Sequence, residues 1–254
     1  MRLISGTGPE LALIHGWGIG AGVWQPLVGP LAENCRVHLV DLPGYGASPD
    51  DDEGFAQTAR RLIESLPAGV TLCAWSLGAS LAMHAALSFP QRVAALILVG
   101  GTPRFTCDDD WPAAQTAQLL DRFAGEVQRR PEQALQRFAA LISQGEDDPR
   151  RLTRALLLTL RQSPTPAAST LQRGLDWLRE IDLRQTVHAI SLPCLLLHGA
   201  NDPLNPLAAA QWLARALPHA RLETFPAAGH APFLANGERF VRHVVDFCHH
   251  AIAA

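Results

Sequence analysis

The 254 residues contain no lysine; all 21 basic residues are arginine. The base composition of a genome is enough to explain that absence. An excess of positive charge is also missing: 24 acidic residues leave a formal net charge of −3, which excludes the chain-wide basic character of a nucleic-acid binder. No apolar run approaches the roughly 20 residues needed to cross a bilayer, and stretches such as 93–99 and 155–160 are far too short. Residues 1–10 carry one arginine and no sustained apolar segment, so they lack the two regions that make a signal peptide. A soluble cytoplasmic protein is expected. The five cysteines, Cys35, Cys73, Cys107, Cys194 and Cys248, are odd in number and scattered, without the paired spacing of a disulfide framework or a zinc site. They read as reduced thiols, with Cys73 and Cys194 inside strands.

What is present points to one large core. Apolar residues make up 48% of the chain and charged residues 18%, a balance that suits a globular protein rather than a disordered one. Short apolar runs at 11–14, 37–40, 70–74, 93–99, 194–197 and 221–225 end in glycine or turn residues and are followed by helix-like patterns. Strands alternating with helices imply an α/β fold with a mostly parallel, doubly wound sheet. The alternation breaks once. From 101 to 192 only helical patterns occur, at 116–128, 131–141, 150–160 and 171–178. The expected organisation is therefore an α/β core of 1–102 and 190–254 with a helical cap inserted at 103–189. Eleven of the 21 arginines lie between Arg122 and Arg184, within this insertion.

In open parallel sheets the chemistry collects at the carboxyl ends of strands. Directly after the run at 70–73 comes Ala74-Trp75-Ser76-Leu77-Gly78, followed by a helical pattern. A serine at the apex of a sharp strand-to-helix turn is exposed for attack, and small residues two positions either side let the turn pass its neighbours. A serine hydroxyl needs a base, and the base needs a group to fix its tautomer. In the chain order serine, acid, histidine, Asp202 follows the run at 194–197 and His230 follows the run at 221–225. Taken singly, Asp202 in Asn-Asp-Pro could be ordinary turn chemistry and His230 one of ten histidines; three residues in order, each after a strand, make the triad Ser76, Asp202, His230. Asp41 precedes the serine and reads as a structural turn residue. The oxyanion hole is expected from the N–H of Leu77 together with one from His15-Gly16-Trp17-Gly18, with Trp17 as donor; a core aromatic is the alternative for Trp17.

These segments, with Asp41-Leu42-Pro43-Gly44-Tyr45-Gly46, Asp109-Asp110-Trp111-Pro112, Asp182-Leu183-Arg184-Gln185 and His230-Ala231-Pro232-Phe233, resemble the pimeloyl-acyl-carrier-protein methyl ester esterase family of α/β-hydrolases across essentially the whole chain. The resemblance implies the α/β-hydrolase fold and a cytoplasmic serine esterase of biotin synthesis, with no cofactor and no metal. Its partner would be acyl carrier protein, with no nucleic acid or membrane involved, and the chain would act as a monomer. It also implies that Trp17, Leu77, Phe138 and Leu204 bind substrate and that Arg137, Arg150 and Arg154 contact the carrier; a further arginine of the family pattern is Gln133 here. Arg150 and Arg154 lie one helical turn apart and Arg137 falls on the preceding helix, so a basic patch is available, although nearby acids such as Glu126 could neutralise it. Two other functions remain open. A general short-chain carboxylesterase would turn over free esters as well as carrier-bound ones, and a ligand-sensing receptor on the same fold would give a burst without steady turnover.

Overall fold

The computed structural model describes residues 2–252 and, of their side chains, those of 4–249. In chain order the elements are β1 (Arg2–Ser5), β2 (Glu10–Ile14), α1 (Gln25–Ala32), β3 (Arg36–Val40), α2 (Phe55–Glu64), β4 (Val70–Trp75), α3 (Leu77–Ser88) and β5 (Val93–Val99). Four helices follow, α4 (Ala117–Arg129), α5 (Pro131–Ile142), α6 (Pro149–Arg161) and α7 (Ala168–Glu180). The chain then returns through β6 (Cys194–Gly199), α8 (Leu207–Ala216), β7 (Ala220–Phe225), the short α9 (Pro232–Ala235) and α10 (Gly237–Ile252).

The seven strands form one sheet in the order β1-β3-β2-β4-β5-β6-β7. All neighbours are parallel except β1, which runs antiparallel to β3 at the edge. Every residue of β4 and β6 is buried, as expected for parallel strands covered on both faces. Helix coverage follows from composition. α2 buries Phe55, Thr58, Ala59, Leu62 and Ile63, a single stripe at helical spacing, whereas α3 (LGASLAMHAALS) is apolar nearly all round and buried nearly all round.

Six of the seven strands coincide with the apolar runs of the sequence to within two residues. β1 is the exception. It is a four-residue edge strand with no apolar alternation, paired in register with Val37 to Val40.

Two features of this topology set up a site. The chain moves to one side of β2 to form β3 and then to the other side to form β4, so β2 and β4 flank a topological switch point. Ile14 is in register with Ala74, which brings the turn after β2 beside the turn after β4. The segments entering and leaving the four-helix insertion also meet each other, through the antiparallel bridge Arg104↔Asp182 and an ion pair between the same side chains. The inserted helices pack in sequence, α4 on α5 and α7 and α5 on α6. α4 and α6 each bury only two residues, Leu120 and Val127 in one and Leu152 and Leu156 in the other, so one face of each remains outside.

Candidate active site

Ser76 joins β4 to α3 with φ 56° and ψ −120°, and among the described residues it alone departs from glycine at positive φ. That conformation costs on the order of 1–3 kcal/mol and persists only where the surroundings hold it. They do so here. Ser76 N–H donates to Val99 O on β5 (2.9 Å), and Gly78 lies so close to the β2 turn that a Cβ there would stand 2.5 Å from His15 O. Ala74, where a glycine is usual, is fully buried between Ile14 and Leu98, and its single methyl fits the sheet.

The elbow aims Ser76 Oγ at His230 Nε2, 2.9 Å away, and His230 Nδ1 lies 2.8 Å from Asp202 Oδ2. Asp202 Oδ1 accepts the N–H groups of Leu204 (2.8 Å) and Asn205 (2.9 Å), so both carboxylate oxygens are used. Burial would push the Asp202 carboxyl up, but the charge and hydrogen bond of His230, the nearby His198 and the Asn205 N–H outweigh it and hold the group below its ordinary value. An ionised acid therefore faces the imidazole. The His230 loop is itself packed closely: Trp75 Nε1 donates to His230 O (2.8 Å), and Gly100, at φ 53°, lies so near that a Cβ on it would sit 3.1 Å from His230 O and 3.2 Å from its Nδ1. His230 is fully buried, while Ser76 keeps 8% exposure.

The first turn of α3 and the turn after β2 border the nucleophile. Leu77 opens α3, so its N–H has no acceptor within the helix and stands at the positive end of the helix dipole. Gly16 passes so near Ser76 that a Cβ on it would meet Ser76 Cβ at 3.0 Å, which sets Trp17 next to the serine. The Trp17 side chain leaves the core and enters the insertion: Nε1 donates to Leu171 O on α7 (2.8 Å), and the ring packs edge-on against Phe138 (4.7 Å) and Phe123 (5.8 Å). The ring of Trp17 is thus an aromatic anchor, while its backbone follows the Gly16 contact with Ser76. Leu204 is buried beside Asp202, tied to it through its own N–H, and its carbonyl accepts from Gln115 of the insertion.

The arginines are less concentrated than their sequence spacing implies. Arg137 pairs with Glu126, Arg179 with Asp121, Arg173 with Asp50 and Asp52, and Arg184 with Asp182 and Asp108. Arg150 and Arg154 are exposed on α6 without an ion pair among the described residues.

Other groups belong to the site although the sequence reading did not place them there. His198 lies within β6 and makes no hydrogen bond to Ser76, but its Nε2 donates to Asn205 O (2.7 Å) and stands 3.5 Å from Asp202 Oδ2. Burial holds it below the usual imidazole value against the attraction of Asp202, so it stays neutral. Asn205 closes the network by donating from Nδ2 to Gly100 O (2.6 Å). Asp41 accepts the N–H of Ala21 (2.9 Å). The signal for His198 was its position four residues before the acid; nothing local marks Asn205.

The geometry is that of a serine activated through a histidine by a buried carboxylate. The alpha/beta hydrolase family profile matches residues 11–243. The chain belongs to the alpha/beta hydrolase family. This hydrolase is 40% identical over 238 residues to a pimeloyl-[acyl-carrier protein] methyl ester esterase of Nitrosomonas europaea, an alignment covering 93% of the chain and 94% of the relative. It is 39% identical over 253 residues to the protein of the same name in Xanthomonas campestris pv. campestris, covering 99% and 98%. Among solved structures it superposes on an esterase from Exiguobacterium antarcticum with a TM-score of 0.86 at 25% identity, covering 98% of this chain and 94% of that one. A bromoperoxidase from Bacillus anthracis gives 0.87 at 20% identity over 97% and 94%, a likeness of fold alone. No helix among the described residues is long and apolar enough to cross a membrane.

Proposed function

We propose that this hydrolase cleaves the methyl ester of pimeloyl-acyl carrier protein in biotin biosynthesis, through an acyl-enzyme on Ser76. The observation that carries the reading is the hydrogen-bonded line from Asp202 through His230 to Ser76 beneath a strained elbow, in a chain 40% identical over 93% of its length to an esterase of that name. Ser76 Oγ attacks the ester carbonyl carbon as its proton passes to His230 Nε2. The N–H groups of Leu77 and Trp17 receive the oxyanion. Collapse expels methanol, which takes the proton from His230, and leaves the acyl group on Ser76. A water molecule, deprotonated by the same imidazole, then releases the free carboxylate with its chain still on the carrier. Phe138 and Leu204 line the acyl path in this reading, and residues 103–189 act as a cap over the core formed by 1–102 and 190–254. The work is cytoplasmic, where acyl chains are extended on carrier protein.

Arg137, Arg150 and Arg154 are the carrier's docking residues. The ion pair between Arg137 and Glu126 does not argue against this, because the Arg137 side chain is 71% exposed and such surface pairs contribute only about 0–1 kcal/mol, which an acidic partner readily displaces. Replacing all three with glutamate is expected to slow hydrolysis of the carrier-bound ester by at least ~10-fold at low salt, with little change on a small free ester. Added salt is expected to slow the parent on the carrier-bound substrate only. Equal loss on both substrates would instead indicate damage to the cap. The wider reading is tested by complementation: the gene is expected to restore biotin-independent growth to a host lacking the esterase. Failure to do so, with free short esters still hydrolysed, would leave a general carboxylesterase.

A further inference from the structure

Residues 143–148 join α5 to α6, and within this connection 144–146 touch the two loops that carry the acid and the base. Glu146 Oε1 accepts the N–H of Gly229, the residue before His230 (2.8 Å). Gly145 O accepts from Asn201 Nδ2, the residue before Asp202 (3.1 Å). The fit is close on both sides: Gly145 has φ 85° and a Cβ on it would collide with Asn201, while a Cβ on Gly229 would collide with Gln144 O. The two loops are also tied to each other, since Asn201 N–H donates to Ala228 O (3.0 Å). Glu146 is buried at 8% exposure, whereas its neighbours Asp147 and Asp148 are exposed. Burying a polar group costs stability unless it is hydrogen-bonded, and the Gly229 N–H supplies that bond to Glu146.

We infer that Glu146 is a positioning residue for the hydrolysis: through Gly229 it sets the His230 loop, and together with the Gly145 contact to Asn201 it fixes the spacing between base and acid. The inference rests on the reading of Ser76, His230 and Asp202 as the triad. α5 and the connection after it thereby meet the site at two points, because Phe138 packs on Trp17 while Gly145 and Glu146 contact the acid and base loops. Burial raises the Glu146 carboxyl above its ordinary value, and glutamine keeps a carbonyl oxygen where Oε1 accepts the Gly229 N–H.

The test compares the parent with Glu146→Ala, Glu146→Gln and Asn201→Ala on a small p-nitrophenyl ester, together with the rate at which a fluorophosphonate labels Ser76. Glu146→Ala is expected to lower kcat and the labelling rate about 10-fold with KM within about two-fold, since small displacements of a base are costly to rate and not to binding. Glu146→Gln, which keeps an acceptor for Gly229, is expected to recover most of both. Asn201→Ala is expected to show a smaller fall of the same kind. A folded Glu146→Ala with parental kcat, or a loss shared in full by Glu146→Gln, overturns the inference; if Glu146→Ala does not fold, parental rates in Asn201→Ala overturn it. A parent that the fluorophosphonate does not label at Ser76 would remove the triad reading itself, which is a different failure from labelling that Glu146→Ala leaves unslowed.

Discussion

Ser76→Ala is expected to lose ester hydrolysis by a factor on the order of 10⁴ or more while keeping its fold, because without the hydroxyl no acyl-enzyme forms and the oxyanion donors alone provide only the residual rate. The fold should survive for a local reason. Alanine keeps the Cβ of serine, so the strain at φ 56° is unchanged, and the Ser76 N–H to Val99 O bond belongs to the backbone. Ser76→Gly makes the complementary point. It should be equally inactive, yet at least as heat-resistant as Ser76→Ala, since glycine releases a strain of about 1–3 kcal/mol and pays about 0.5–1 kcal/mol in backbone entropy. Steady-state hydrolysis of a p-nitrophenyl ester, with circular dichroism through the thermal transition, reads both effects. Appreciable turnover in folded Ser76→Ala would take the serine out of the chemistry.

The parts of this molecule that were legible in the sequence are those whose cause is local. A parallel strand covered on both faces must be apolar along its length, so β4, β5 and β6 are visible as runs, and the residues just beyond them are the ones a switch-point sheet presents to substrate. Ser76, Asp202 and His230 could be picked out because each stands after such a run. The edge strand β1 has no such mark, because its pairing with β3 is decided by a partner more than thirty residues away. The same holds for the supports of the site. Asn205, Gly100, Trp75 and Glu146 act through contacts made only when separate segments of chain converge, and the hydrogen bond from the Gly229 N–H to Glu146 spans 83 positions of chain. Charge was legible in amount but not in arrangement. The insertion is rich in arginine, but pairing with Glu126, Asp121, Asp182 and the distant Asp50 and Asp52 depends on which helix faces which, so composition overstated the free positive charge.

Asp202→Asn is expected to lower the acylation rate by roughly 10⁴-fold, the scale of the same change in serine proteases, whereas Asp41→Asn should leave acylation nearly intact. The hydrogen bonds around Asp202 dictate why. Oδ1 accepts two backbone N–H groups, from Leu204 and Asn205, so an asparagine must place its carbonyl oxygen there, because an NH₂ in that position would face two donors. The NH₂ is then forced into the place of Oδ2, opposite His230 Nδ1. Two donors cannot share that contact, so the imidazole gives up its Nδ1 proton and keeps one on Nε2. The nitrogen 2.9 Å from Ser76 Oγ would then present a hydrogen instead of a lone pair and could not take the serine proton. The neutral His198 offers no rescue, since its Nε2–H is already committed to Asn205 O. At Asp41 the carboxylate accepts the N–H of Ala21, a role the amide oxygen of asparagine fills equally well. Single-turnover acylation of the two variants against the parent separates these cases, and a larger loss in Asp41→Asn than in Asp202→Asn would transfer the role of acid to the earlier residue.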